Sequence, residues 1–201
     1  AHSHDILIQE NHGCTTDASG RIVRLVSGNG ADIHVIRDDG TNLRDMPWGR
    51  NGVEFCQGHQ CWVGRSNWAI TSTSEAGGIA RLIASPPAPH AGHAGIDTPG
   101  GVRVDLSVQV PSPCFHHFAT DLAGVNFVTD SGRQDQGGGI YLGRLPENLD
   151  GPLQDLRLIV RPRSSWKKEA HIHPFLSPDG RLAFFNSDES GILQAYMARL
   201  G

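Results

Sequence analysis

The chain has 201 residues, 38% of them hydrophobic, with 25 glycines, 12 prolines and a formal charge of −4. It is long enough to bury a core, and Gly plus Pro stays below the roughly 25–30% share typical of disordered chains, which excludes a disordered tail, a collagen-like chain and a coiled coil. No basic face marks a nucleic-acid binder, and no apolar run approaches the roughly 18 residues of a membrane-spanning helix, so neither nucleic acid nor membrane is expected as a partner.

The apolar runs are short and rich in β-formers. In chain order they are Ile6–Ile8, Ile22–Val26, Ile33–Ile36, Trp68–Thr73, Ala80–Ala84, Val102–Val110, Val125–Thr129, Ile140–Leu142, Leu156–Val160, Leu182–Phe185 and Leu193–Met197. Turn pairs separate them: Ser19-Gly20, Ser27-Gly28, Asp39-Gly40, Asn51-Gly52, Ser131-Gly132, Asp150-Gly151, Asp179-Gly180 and Ser190-Gly191. No long stretch keeps a helical period of 3.6. The expectation is an all-β chain, a sandwich, barrel or propeller.

Internal repetition separates these. His173 stands seven residues before Gly180, which opens the strand Arg181–Phe185; His117 stands likewise before Gly124 and Val125–Val128; His59, more faintly, before Ser66 and Trp68–Ile70. The copies start 58 and 56 residues apart. That period suits one four-stranded β-propeller blade with a long loop. Gly139–Leu145 and Gly191–Leu200 read as outward strands of their units. The chain then holds about three and a half blades of one propeller, in units of approximately 1–58, 59–115, 116–170 and 171–201. A small irregular propeller and part of a larger one both fit, and the second is favoured because propellers normally close with about four to eight blades. The low-complexity run Pro86–Gly95 reads as a loop, because the repeat frame continues across it.

Histidine is the unusual count, at 11. The first strand of each blade lines the central channel, so His59, His117 and His173 should ring one end of it. His171 precedes His173 by two residues, and on a strand i and i+2 face the same side. A His-x-His pair plus one histidine from the next blade makes a three-nitrogen metal site suited to Mn, Fe, Zn, Ni or Cu. His116 should point to the opposite face and be structural. His90 and His93 read as solvated loop residues. Trp62, Trp68 and Trp166 fit packing between blades better than sugar platforms. Gly137-Gly138-Gly139 lacks the Lys-Ser/Thr of a phosphate loop, and no Gly-x-Ser-x-Gly elbow is present. Cys14, Cys56, Cys61 and Cys114 follow no disulfide-framework spacing, although Cys56 and Cys61 are close enough in sequence to pair. Cysteine usage, with a polar start lacking a signal-peptide pattern, makes a reducing, cytoplasmic location the expectation.

The run Ala170–Met197, beginning Ala-His-Ile-His-Pro and containing Ser177-Pro178-Asp179-Gly180, resembles the closing blades of oligogalacturonate lyases, and Gly58–Trp62 and His117 extend the resemblance. The resemblance implies a TolB-like seven-bladed propeller of which this chain is about half. It implies a divalent metal, typically Mn²⁺, held by His117, His171 and His173, with His59 as catalytic base and an acidic oligosaccharide as substrate. The family's glutamine ligand falls on Lys168, which cannot ligate while protonated; that leaves Glu169 or water for the fourth position. The family's arginine has no counterpart in Ala31–His34, and neither Arg37 nor Arg44 can be placed, so the substrate-binding residues stay unassigned. The function so implied is β-elimination from oligogalacturonides, in the context of pectin degradation. The alternatives are a non-catalytic TolB-like propeller that binds sugar or protein, and a metal-dependent hydrolase or epimerase on the same scaffold.

Overall fold

The structure is a computed structural model that describes residues 4–11, 14–16, 18–20, 22–24, 31–48, 54–75, 81–89, 101–107, 115–131 and 139–201. His90, His93, Cys114 and the glycines at 137 and 138 lie outside them. Among the described residues there is no α-helix, and no helix long and apolar enough to cross a membrane.

Among the described residues, antiparallel sheets of three or four strands follow one another along the chain. The first joins β1 (Asp5–Asn11), β4 (Ala31–Arg37) and β5 (Arg44–Asp45), with β2 (Cys14–Thr16) and β3 (Ile22–Arg24) forming a separate hairpin. The second is β6 (Glu54–Trp62), β7 (Ala69–Glu75), β8 (Arg81–Ser85) and β9 (Val104–Asp105). The third is β10 (Phe118–Thr120), β11 (Asn126–Ser131), β12 (Gly139–Arg144) and β13 (Gln154–Val160). The fourth is β14 (Phe175–Leu176), β15 (Leu182–Ser187) and β16 (Gln194–Arg199). Each complete sheet is a simple meander, the order of a propeller blade. The strand read as outward, β12, is third of four, with β13 outside it.

The pleat explains how the sheets stack. Successive residues of a strand point to opposite faces, and both faces of the middle sheets are apolar. Ala69 and Ile83 face the first sheet and pack with Ile33, Val35, Met46 and Trp48. Their neighbours Ile70, Leu82 and Ala84 face the third sheet and pack with Phe118 and Phe127. In the third sheet Val128, Ile140 and Leu142 face the fourth, against Leu176, Ala183 and Phe185. Each fully buried Leu, Ile or Phe contributes about 1.5–3 kcal/mol. Three stacked interfaces, rather than one central core, therefore hold the chain together. Trp62 packs against the first of these clusters and Trp68 against the second, as their sequence reading expects. Cys56 and Cys61 form no disulfide.

The repeat frame is visible in the backbone. The turns after the innermost strands are closed by the same hydrogen bond: Ser66 N–H to Val63 O (2.9 Å), Gly124 N–H to Asp121 O (3.1 Å) and Gly180 N–H to Ser177 O (2.9 Å). Seven residues earlier stand His59, His117 and His173. Their strands extend that register in parallel: Gln60 pairs with Thr71, Phe118 with Thr129, and Phe175 with Phe184. The three histidines thus occupy one end of three neighbouring sheets, and the turns occupy the other.

Candidate metal centre

His117, His171 and His173 converge: one ring nitrogen of each lies within 4.8 Å of the others. Ring centroids of His117 and His173 are 3.7 Å apart, and those of His117 and His171 are 5.5 Å apart. This is the triad expected from the repeat. Its members arrive by different local devices.

His117 is buried and is fixed by Asp130, the residue opposite it on β11. Asp130 takes the His117 backbone N–H on Oδ1 (2.9 Å) and contacts Nδ1 through Oδ2 (2.8 Å). The carboxylate is fully buried. As an acceptor it selects the tautomer with the proton on Nδ1, which leaves the Nε2 lone pair for a ligand. A carboxylate behind a ligating histidine is the usual way to orient a metal-bound imidazole and raise its basicity. Sequence reasoning missed Asp130; the only signal was an acid at the end of the strand paired with the histidine strand.

His171 and His173 do not converge through a strand pleat as expected. β14 begins only at Phe175, and His173 has φ +45°. The left-handed region is costly for a non-glycine residue, of the order of 1–3 kcal/mol, and the following Pro174 adds its own restriction. Ile172 holds the segment in place in two ways. Ile172 is fully buried in the third cluster, and its carbonyl accepts the Asn186 N–H (2.8 Å). With Ile172 anchored in the core, the flanking imidazoles turn out towards His117.

His59 stands beside the triad, its ring centroid 4.7 Å from that of His117, and is not one of the three converging histidines. A bulge presents it. Cys56 pairs with Thr73 and Gln60 with Thr71, so Gln57, Gly58 and His59 lie opposite the single residue Ser72. Bulges of this kind re-aim side chains near active sites. Ser72 Oγ–H bonds Gln57 Oε1 (3.0 Å), and Thr71 Oγ–H bonds the His59 carbonyl (2.7 Å), which pins the bulge. Among the described residues the His59 Nδ1 atom is buried without a hydrogen-bond partner, which is unusual for a buried polar atom. Burial, then the charges of His117 and His116, hold its pKa down to about 4, so the imidazole is neutral at neutral pH. Burial also lowers the pKa values of His116 and His173.

Trp166 and His116 form a wall. Their rings are 6.2 Å apart, and Trp166 lies 5.9 Å from His171. Trp166 also packs on the third cluster. His116 is therefore nearer the site than expected of a purely structural residue, although it is not one of the converging histidines. Trp166 has φ +56° and belongs to a loop clamped by the β15–β16 turn. Asp188 accepts the Ser165 N–H (2.7 Å) and the Ser165 and Ser164 hydroxyls, and Glu189 accepts the Arg163 N–H (3.2 Å).

Glu169 is exposed and is not part of the converging group, which leaves water as the candidate for the fourth position. Lys168 opens a 3-10 turn, Lys168–Ala170, that leads into His171. Arg44 is engaged by Asp5 (2.6 Å). His34 is buried against Asp45 (2.7 Å) and belongs to the first sheet.

The donor set fits a divalent cation. Three imidazoles, two flanking the anchored Ile172 and one backed by a carboxylate, are a donor set suited to a borderline-acid metal such as Mn, Fe or Zn.

No protein-family model and no curated protein sequence matches this chain. Solved structures do resemble it. An oligogalacturonate lyase in complex with manganese superposes with a TM-score of 0.61 at 21% identity, covering 84% of this chain and 41% of the lyase. An oligogalacturonate lyase from Vibrio parahaemolyticus gives 0.58 at 16% identity, covering 85% of this chain and 46% of that one. A protein described as a TolB from Agrobacterium tumefaciens gives 0.57 at 16% identity, covering 98% of this chain and 66% of that one. The fold class is thereby defined: these sheets are blades of a β-propeller built like those of the lyases and the TolB protein. The chain spans less than half the length of either lyase.

Proposed function

We propose that the chain is the metal-binding part of a propeller lyase that cleaves acidic oligosaccharides of the oligogalacturonide class by β-elimination. The observation that carries this reading is the convergence of His117, His171 and His173 with a neutral His59 beside them. The manganese complex of a lyase of the same fold supports it.

In a 4-linked uronate the C5 proton is acidic because it lies alpha to the carboxylate. Its removal builds negative charge on that carboxylate. His117, His171 and His173 would hold a divalent cation, which would supply the charge neutralisation that this step needs. His59, as free base, takes the C5 proton on a ring nitrogen. The C5–H electron pair becomes the C4–C5 double bond, and the O4 leaving group departs with its bonding pair, giving a 4,5-unsaturated uronate. Asp130 keeps His117 in its ligating tautomer throughout. The clamped Trp166 and His116 wall limits access of water from one side.

The test uses the intact protein loaded with Mn²⁺ and short galacturonate oligomers. Ultraviolet absorbance of a conjugated product should rise with the parent and stay flat with His59→Ala. A flat trace from folded, metal-loaded parent protein overturns the reading. Product carrying no double bond would instead indicate a hydrolase or epimerase.

One observation favours a second reading, a non-catalytic TolB-like binding propeller. The TolB structure matches 98% of this chain, more than either lyase does. Under that reading the histidines are structural, the parent binds sugar or protein without forming product, and its stability does not change when metal is stripped.

A further inference from the structure

A second concave surface lies at the other end of the third and fourth sheets. β11 runs from Asn126, at this end, to Asp130, behind the metal ligand His117. At about 3.3 Å per residue, the two places are separated by more than a nanometre of strand. Between the sheets a cleft of about 940 Å³ opens here. Its volume falls in the range of small-molecule sites, roughly 300–1,000 Å³.

The walls combine an apolar floor with concentrated positive charge. Val125, Leu142 and Leu182 contribute the floor. Arg144 from the end of β12, Arg157 from β13, Arg181 from the 177–181 turn and Arg199 from β16 all border the cleft. The chain as a whole carries a net charge of −4, so four guanidinium groups around one opening run against its average. Two acids share the rim, Asp155 and Asp179. Asp179 is already engaged by the Ser177 hydroxyl (2.6 Å) and the Arg181 N–H (3.1 Å), and it stands 3.9 Å from Arg181 Nε. Among the described residues Arg144, Arg157 and Arg199 have no ion-pair partner. Like charges gathered without partners repel one another and raise the local potential, which an anion relieves. Guanidinium forks match the two oxygens of a carboxylate or phosphate.

We propose that this cleft is a second binding site, for a small organic polyanion bearing two or more carboxylate or phosphate groups. It works independently of the histidine cluster and of any metal there. The proposal does not rest on the lyase reading.

Calorimetric titration of the intact protein in EDTA and low salt tests it, with trigalacturonate and pyrophosphate as separate probes. At least one probe should bind the parent and bind His171→Ala equally well. The Arg157→Gln/Arg199→Gln double variant should bind at least about tenfold more weakly, the loss expected of one charge-assisted pair, with its melting temperature unchanged because both side chains are exposed. Binding of trigalacturonate identifies a carboxylated saccharide, and binding of pyrophosphate alone identifies a phosphate ligand. No binding of either probe, binding lost in His171→Ala, or an equal loss in the exposed control Arg65→Gln overturns the proposal.

Discussion

Asp130 and His117 hold each other at three points. The carboxylate takes the histidine backbone N–H and the ring Nδ1, and the Asp130 N–H returns a bond to the His117 carbonyl (3.1 Å). His117 immediately precedes β10 and Asp130 stands opposite it on β11, so extending the sheet pairing by one residue delivers the orienting carboxylate. Asp130→Asn keeps the shape and an acceptor oxygen but removes the charge. Manganese affinity should fall about 10–100-fold, measured by calorimetry on the folded variant. Affinity equal to the parent would reduce Asp130 to a structural role.

His173 makes a sharper test, because its backbone is strained as well as its side chain placed. His173→Gly removes the ligand and relieves the left-handed conformation, which glycine adopts freely. The variant should lose tight metal binding, yet its metal-free form should melt no lower than the parent. His171→Ala should lose metal without that compensation. Unchanged metal stoichiometry in both variants would remove the basis of the site.

His59 should separate catalysis from metal binding. It lies outside the three converging histidines, so under the proposed function His59→Ala should retain manganese. A lost general base typically costs about 10²–10⁴-fold in rate. Single-turnover absorbance alongside metal analysis distinguishes the two effects, and a metal-depleted His59→Ala protein would make His59 a ligand instead.

The outer and middle strands were legible because Val, Ile, Leu and Phe alternate between X-Gly turns. β7, β8, β11, β13 and β15 each coincide with an apolar run. The innermost strands β6, β10 and β14 carry no apolar run of their own and are expected only from the histidine frame. β14 is only two residues long, β10 only three, and β6 carries Gly58, His59 and Gln60 where alternation is expected. Their function shows instead in the histidine spacing, which is why the triad could be read while its supports could not. Asp130 looks like any acid near a turn until β10 and β11 pair. The bulge before Gln60 depends on Ser72 and Thr71 of another strand. The positive φ of His173 runs against what a residue before proline normally adopts, so no local rule anticipates it.

The clamp on the Trp166 loop carries a pH dependence. Hydrogen bonds from the Ser165 hydroxyl and N–H hold the Asp188 carboxyl below the usual aspartate range. In the unfolded chain the same carboxyl protonates first as pH falls. Its contribution is therefore complete above the ordinary aspartate pKa of about 3.9 and is lost as pH drops through the lower folded value. Amide hydrogen exchange at Ser165 should be slow at neutral pH and accelerate relative to the sheet amides under acid. Asp188→Asn should show the loosened loop already at pH 7. If variant and parent exchange alike at pH 7, the clamp does not govern the loop.

Contacts between turns should prove as stringent as the core. Gly64 has φ +51°, and a Cβ there would sit 2.5 Å from the Gly124 backbone nitrogen and 2.8 Å from the Leu122 carbonyl oxygen. Backbone atoms cannot swing aside as side-chain ends can. Gly64→Ala therefore combines the left-handed cost of about 1–2 kcal/mol with overpacking of about 1–3 kcal/mol. Gly20 supplies the control, since it too is left-handed, at φ +80°, but has nothing within 4 Å of its added Cβ. Gly20→Ala should cost only the conformational part. Chemical denaturation of both variants should place Gly64→Ala well below Gly20→Ala. Equal losses would mean that the second and third sheets yield at their turns, and the metal site built across them could not be held to a fixed spacing.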